Sequence, residues 1–298
     1  MTTRRPKDLV FTLFGDYLLH RSEAVWVGSL ISLLAPLGLN APTVRTALSR
    51  IARRGWIRSE RLGRRSYYSL TANGRRLLEE GEARIYHPNW DRPWDGQWVV
   101  LTYSIPEGDR RLRNQLRDRL TWLGFGSLGN GLWISPHDVE GEILEIADSL
   151  GIQDRLECFR GDAIGLSSPE RLVERCWDLP AINSRYEAFL QRYAPKFLAC
   201  RDAQEQGELD PERAYMLRFE LIHEYREFPF LDPYLPRALL LDNWGGECAA
   251  HLFKIFHDLL ASAADRYVDS LLAEAATPPK ARTRRGAIQD STSQFGST

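Results

Sequence analysis

Apolar residues recur at three- and four-residue spacing through most of this 298-residue chain, and two stretches interrupt that rhythm with β-favouring runs. Leu9, Val10, Leu13, Phe14, Tyr17 and Leu18 predict a helix over Pro6–His20, and the apolar run Val25–Leu34 a second. After the punctuation PLGLNAP, Pro42 suits the first turn of a third helix over Pro42–Arg54, with Gly55 as its C-terminal cap. At 3.6 residues per turn, Val44, Ala47, Leu48 and Ile51 share one face of that helix. Thr43 stands at its start, and Arg45, Thr46, Ser49, Arg50 and Arg53 lie away from the apolar face.

The first interruption is GWIRSERLGRRSYYSLT, where Trp56–Arg61 and Ser66–Leu70 read as a β-hairpin with a basic tip at Arg64 and Arg65. Thr71 then caps a further helix. Three helices followed by a basic hairpin describe a winged helix-turn-helix over residues 1–86. In such modules the third helix enters the major groove, and the wing meets phosphates or the minor groove. That assigns DNA contacts to Thr43, Arg45, Thr46, Ser49, Arg50, Arg53, Arg64 and Arg65.

The second interruption fills residues 87–165. QWVVLTYSIPE predicts a strand, DRRLRNQLRDRLTWLG a helix, FGSLGNGLWISP a tight two-strand unit, HDVEGEILEIADSLG a helix and RLECFRGDA a last short strand. The order β-α-β-β-α-β is that of a ferredoxin-like domain. Gly124, Gly126 and Gly129 formally satisfy GxGxxG, but they follow a helix and precede a strand, so they read as hairpin glycines rather than a dinucleotide fingerprint. From residue 166 to 276 the helical period returns in SPERLVERCWDL, INSRYEAFLQRYAPKFL, PERAYMLRFELIHEYREF, DPYLPRALLL and the stretch from GGECAAHL to SLLAEA. Residues 277–298 carry little apolar content and predict a disordered tail. The fold class is therefore α+β, with a helical C-terminal domain.

Charge sharpens this division. Net charge is −1, yet residues 1–86 hold 15 Lys+Arg against 7 Asp+Glu, and the remainder 24 against 33. Thr43 to Arg58 contains five arginines and no acid, whereas a merely soluble helix mixes signs for i,i+4 pairing. A polyanion is the natural partner of such a head. No run of eighteen apolar residues suggests a membrane span, and MTTRRPKD lacks a secretory apolar core, so the expectation is a soluble cytoplasmic protein. Four scattered cysteines suggest neither zinc nor a disulfide framework. LIHEYRE is not an HExxH metal site, and no GxSxG marks a nucleophile. Catalytic residues, metal and cofactor are all expected to be absent.

Taken together, FTLFGDYLLHR, VWVGSLISLLAPLGLNAPTVRTALSRIARRGWI, RLGRRSYYSLTANGRRL, WDGQWVVLTYSIPE, LGFGSLGNGLWISP and LRFELIHEYREFPFLDPYLPRALLLDNWGG resemble the PaaX family of bacterial regulators, the phenylacetate-degradation repressors. The resemblance runs from about residue 8 to 275. It implies a homodimeric repressor of an aromatic-acid catabolic operon, bound to a double-stranded DNA operator and released by an aryl-acyl-CoA, usually phenylacetyl-CoA. It also implies a central domain similar to the ferredoxin-like nuclease of CRISPR adaptation. Those nucleases carry an aspartate at the end of the first strand, where this chain has Tyr103, Ser104, Ile105 and Pro106. For the effector, residues 166–276 offer Arg218, His223 and Arg226 to phosphates, and Trp177, Phe228 and Trp244, with Trp133, to the acyl end. The domain of residues 166–276 is thus expected to serve effector binding and dimerisation. A metal-dependent nuclease or an acyl-CoA-processing enzyme is the alternative.

Overall fold

Pro6 opens α1 (Pro6–Leu13), which buries Leu9, Val10 and Leu13. The structure is a computed structural model and describes residues 5–21, 24–165 and 168–276. α1 runs on into a single π-helical turn, Phe14–Leu18, whose wider pitch buries Phe14, Tyr17 and Leu18. The apolar run Val25–Leu34 is not helical throughout. Val25–Trp26 forms a short strand, β1, opposite Tyr67 and Tyr68, and α2 (Val27–Leu34) starts only after it. A β-branched and an aromatic residue gain more from cross-strand partners than from one further helical turn.

α3 (Ala41–Arg53) follows, then β2 (Ile57–Leu62), β3 (Arg65–Leu70) and α4 (Ala72–Tyr86), the strands ordered β1-β3-β2. Thr71 caps α4, its hydroxyl accepting from Gly74 N at 3.0 Å. Gly74 is required there, since a Cβ would stand 1.9 Å from the Trp56 carbonyl oxygen.

The central unit comprises β4 (Gln97–Tyr103), α5 (Arg110–Trp122), β5 (Gly126–Gly129), β6 (Leu132–Ser135), α6 (Glu140–Leu150) and β7 (Leu156–Asp162). Its strands form one antiparallel sheet in the order β5-β6-β4-β7. Alternation along the strands divides the side chains between two faces. Val99, Leu101 and Trp133 pack with Leu116, Leu120 and Ile143 of α5 and α6. Trp98 and Ile134 belong instead to the larger core that the rest of the chain builds, where Trp98 stacks on Trp177 at 6.4 Å. The three glycines of the GxGxxG run have separate duties: Gly124 and Gly129 hold positive φ, and Gly126 lies so close to Trp177 that a Cβ would come within 2.6 Å.

The C-terminal region is helical: α7 (Pro169–Cys176), α8 (Leu179–Glu205), α9 (Pro211–Tyr225) and α10 (Gly246–Ala276). The helix expected over DPYLPRALLL is absent; only a 3-10 turn, Arg237–Leu239, forms there. Pro233 and Pro236 remove backbone donors and force the residues before them out of helical geometry. Buried Asp232 organises this stretch by accepting from Tyr234 N at 2.7 Å, Tyr186 Oη at 2.8 Å and Trp90 Nε1 at 3.1 Å. The tail expected over 277–298 lies outside the described residues.

The hydrophobic core does not part where the composition changes. One cluster runs from Leu9 and Leu13 through Val44 and Leu48 to Phe219, Phe253 and Val268. Hydrogen bonds stitch the same seam: Tyr215 Oη donates to Leu33 O at 2.7 Å and Ser29 Oγ to Leu271 O at 2.9 Å. At its centre Arg218 of α9 reaches Asp16 of the π-helical turn, Nε to Oδ2 at 3.1 Å, and Asp265 of α10 at 3.0 Å. Tyr86 Oη donates to Asp16 Oδ1 at 2.9 Å, and His257 Nε2 lies 2.9 Å from the same oxygen. Burial alone would raise the Asp16 pKa, but hydrogen bonding to His257 and the charge of Arg218 outweigh it and hold the carboxyl below its usual value.

Two outcomes follow from these buried carboxylates. Arg218→Met leaves Asp16 without its ion pair in an apolar setting and should cost about 3 to 5 kcal/mol in urea unfolding, less in an Asp16→Asn background. Burial pushes Asp232 up to about 6 from 3.8. The folded state therefore holds this proton more tightly than the unfolded one, so its contribution is fully present below about pH 4 and is lost as pH rises through 6. Asp232→Asn should flatten that decline, on the order of 3 kcal/mol, in unfolding free energy measured against pH.

Candidate nucleic-acid interface

α3 is seated by its sequence at both ends. Asn40 caps it, Oδ1 accepting from Thr43 N at 3.0 Å, and Gly55 takes φ 72° to turn the chain into β2. Val44, Ala47, Leu48 and Ile51 are buried, which leaves Arg45, Thr46, Ser49, Arg50 and Arg53 exposed on the rest of the helix. Among the described residues none of Arg45, Arg50, Arg53 and Arg64 has an ion pair. These guanidiniums keep every donor for an external acceptor. Thr46 differs, because its hydroxyl donates back to Pro42 O at 2.9 Å, and Thr43 is half-buried at the cap.

The hairpin pairs in full register from Ile57↔Leu70 to Leu62↔Arg65, and Gly63 and Arg64 make the turn. Arg64 stands exposed at the tip. Arg65, grouped with it in the sequence, is half-buried and stacks over Trp26 at 4.9 Å, so it is held by β1 rather than presented. Exposed Arg58 and Arg61, left out of the sequence-based set, lie along β2 with side chains anchored to Ser69 Oγ at 3.1 Å and Gly63 O at 3.2 Å. Their signal was the polar run that follows Ile57 in β2, every residue of which is exposed. Arg54 is a further member, packed over Trp56 at 5.2 Å.

The residues offered for an effector do not converge. Trp133 fills the core between the central sheet and its helices, Trp177 stacks on the opposite face, and Trp244 meets Tyr186 edge-on at 5.5 Å. Phe228 stacks on Tyr186 at 4.0 Å. Arg218 is committed to Asp16 and Asp265, and His223 Nδ1 lies 2.9 Å from Thr12 Oγ1. Helical spacing explains the dispersal: aromatic residues at core positions of several helices are consumed by packing, and the arginine on the buried face of α9 needs internal carboxylates.

Arg226, of that set, lines a large cleft. This is a cleft of about 2100 Å³ bounded by α1, α3, α4, α5, α6 and the turn after α9. Thr43, Thr46, Arg50 and Arg53 of α3 line it as well. Arg84 crosses nearby, donating to the Trp122 carbonyl and lying 4.0 Å over the Trp122 ring. Among the described residues no group of three His, Cys, Asp or Glu is placed to hold a metal ion, and no helix is long and apolar enough to cross a membrane.

Comparison with known proteins gives a consistent result along the chain. The profile of a PaaX-like protein matches residues 5–74, that of the PaaX protein central Cas2-like domain residues 91–173, and that of the PaaX-like protein C-terminal domain residues 177–270. The transcriptional repressor PaaX of Escherichia coli (strain K12) is 37% identical over 266 residues, which cover 88% of this chain and 82% of that protein. An uncharacterized protein, Rv0674 from Mycobacterium tuberculosis, shares the fold with a TM-score of 0.55 at 21% identity, over 90% of this chain and 98% of its own. The Escherichia coli relative is a transcriptional repressor, a regulator rather than an enzyme. With three successive profiles and a relative of this identity and coverage in agreement, the chain belongs to the PaaX family.

Proposed function

We propose that the chain is a soluble, cytoplasmic transcriptional repressor that binds duplex DNA through α3 and the β2–β3 hairpin. The observation that carries this reading is the set of exposed arginines without internal acids on those two elements. In it, residues 1–86 act as a winged helix-turn-helix, with α3 in the major groove and Arg64 on the backbone or minor groove. Residues 87–165 form a ferredoxin-like unit, a description supported by the strand order β5-β6-β4-β7 with α5 and α6 on one face. The helical remainder, 166–276, carries the effector response and the contact to a second copy. A homodimer would place two α3 helices about one helical turn of DNA apart on a pseudo-palindromic operator.

The name of the Escherichia coli relative supports repression, and the family supports regulation of an aromatic-acid, phenylacetate-type operon with an aryl-acyl-CoA as the releasing ligand. Release requires that ligand to favour a head arrangement unable to span both half-sites. Because the head core is continuous with α9 and α10, a shift in those helices moves the heads with them.

If each subunit neutralises about four phosphates, a mobility-shift titration should give a log-log salt slope near roughly −7 per dimer. Arg50→Ala should cost on the order of 1 to 3 kcal/mol on the operator and relax base preference, whereas Arg64→Ala should weaken all sequences evenly. Identical profiles for the two variants would contradict the division between base reading and backbone contact.

A further inference from the structure

We infer that Leu62, at the tip of the β2–β3 hairpin, is an apolar wedge that enters the minor groove and opens a base step, an inference that rests on the DNA-binding reading above. The protein then selects its site partly by how readily the duplex kinks there.

Three observations carry the wedge. First, Leu62 is 58% exposed, and of the large apolar residues exposed in the described structure it alone lies on α3 or the hairpin. A single surface leucine is ordinary, but the surroundings of this one are not. Arg61 precedes it and Arg64 follows Gly63, and among the described residues neither arginine has an ion pair. The two cations draw the tip toward phosphates, and between the phosphate rows of the minor groove lie stacked bases that an apolar side chain can part.

Second, the tip is narrow and braced. The hairpin pairs up to Leu62↔Arg65, and Gly63, at φ 62°, makes the turn without adding a side chain. Arg61 Nε donates to Gly63 O at 3.2 Å, and Arg65, the cross-strand neighbour of Leu62, lies 4.9 Å over Trp26. A leucine presented on a fixed turn gives up little conformational freedom on insertion. The minor groove is about 6 Å wide, which admits side chains from a tip rather than a whole pair of strands.

Third, the single acid of the hairpin, Glu60, decides how the tip enters. Alternation puts exposed Glu60 on the same face of β2 as Leu62, two residues and so about 7 Å behind it. A hairpin lying flat along the backbone would press Glu60 against phosphates, whereas entry by the tip leads with Leu62 and Arg64 and holds the carboxylate back. Opening a step is easiest at flexible pyrimidine–purine steps and hardest in stiff A-tracts, so the wedge reads sequence where no hydrogen bond to a base is made.

The test uses the full chain and the duplexes it enriches from a randomised pool, with bending read from circularly permuted fragments in a mobility-shift assay. The wild-type complex should be bent by roughly 20 to 90°, with a TA or CA/TG step at the position the hairpin protects in footprints. Leu62→Ala, a change at an exposed site, should lose at least half of the bend and tenfold or more in affinity, while Leu62→Met should keep both. Replacing the flexible step by a stiff one should weaken the wild-type chain tenfold or more and leave Leu62→Ala within twofold of its own affinity. An unbent wild-type complex, or unchanged bend and affinity in folded Leu62→Ala, overturns the wedge while DNA binding stands. Failure of the wild-type chain to enrich any duplex removes the DNA-binding reading itself, and the wedge with it.

Discussion

The buried ion pair between Asp16 and Arg218 is the constraint on which the arrangement of this protein depends. Asp16 is 2% exposed and Arg218 8% by side chain, so each is removed from water and tolerable only because the other is present. The π-helical turn makes the pair possible by advancing Asp16 and Tyr17 toward α9, where Arg218 also lies 4.8 Å over the Tyr17 ring. Tyr86 of α4 and His257 and Asp265 of α10 complete the cluster, so four helices from both ends of the chain meet at one carboxylate. Such a cluster tolerates few alternatives, because any rotation of the head that separates Asp16 from Arg218 leaves a buried carboxylate without its cation, while Arg218 keeps only Asp265.

The arginine-bearing face of α3 inherits its position from this arrangement. α3 packs on α1 and α2, which share a core with α9 and α10, so the exposed arginines are carried on a surface continuous with the helical region. The central sheet is attached differently. One face closes over its own helices, and the other presents Trp98 to Trp177, while buried His137 lies with Nε2 2.9 Å from Pro233 O. Burial lowers the His137 pKa, which suits a neutral ring donating to that carbonyl. The unit is thus held by the sheet face that carries Trp98 and Ile134 and by the His137 contact, and the cleft lies between it and the head.

Much of this was legible in the chain. Period and punctuation placed α3 and the hairpin within a residue or two and gave the central β-α-β-β-α-β order, with the first strand and second helix of that unit drawn three or four residues too long at one end, because turn glycines, the Thr71 cap and apolar spacing act locally. The accumulation of arginine without acid was equally visible, since exposure of charge follows from the cost of burying it. Where the reading failed, a distant partner had overridden local preference: β1 exists because Tyr67 and Tyr68 offer edges to it, and the stretch around Pro233 is held by Asp232, Trp90 and Tyr186 rather than by a helix.

By itself, then, the sequence determined most of the helices and strands, which face of α3 is free, and which end of the molecule is basic, all consequences of spacing and charge along the chain. Only the tertiary structure decided what each arginine does with its charge. Arg218 is spent on Asp16, Arg65 lies on Trp26, Arg84 covers Trp122, and Arg226 keeps a buried and unmatched donor beside a cleft. The physical reason is that pairing and desolvation depend on residues as far apart as 16 and 218, and no local pattern records which of them meet.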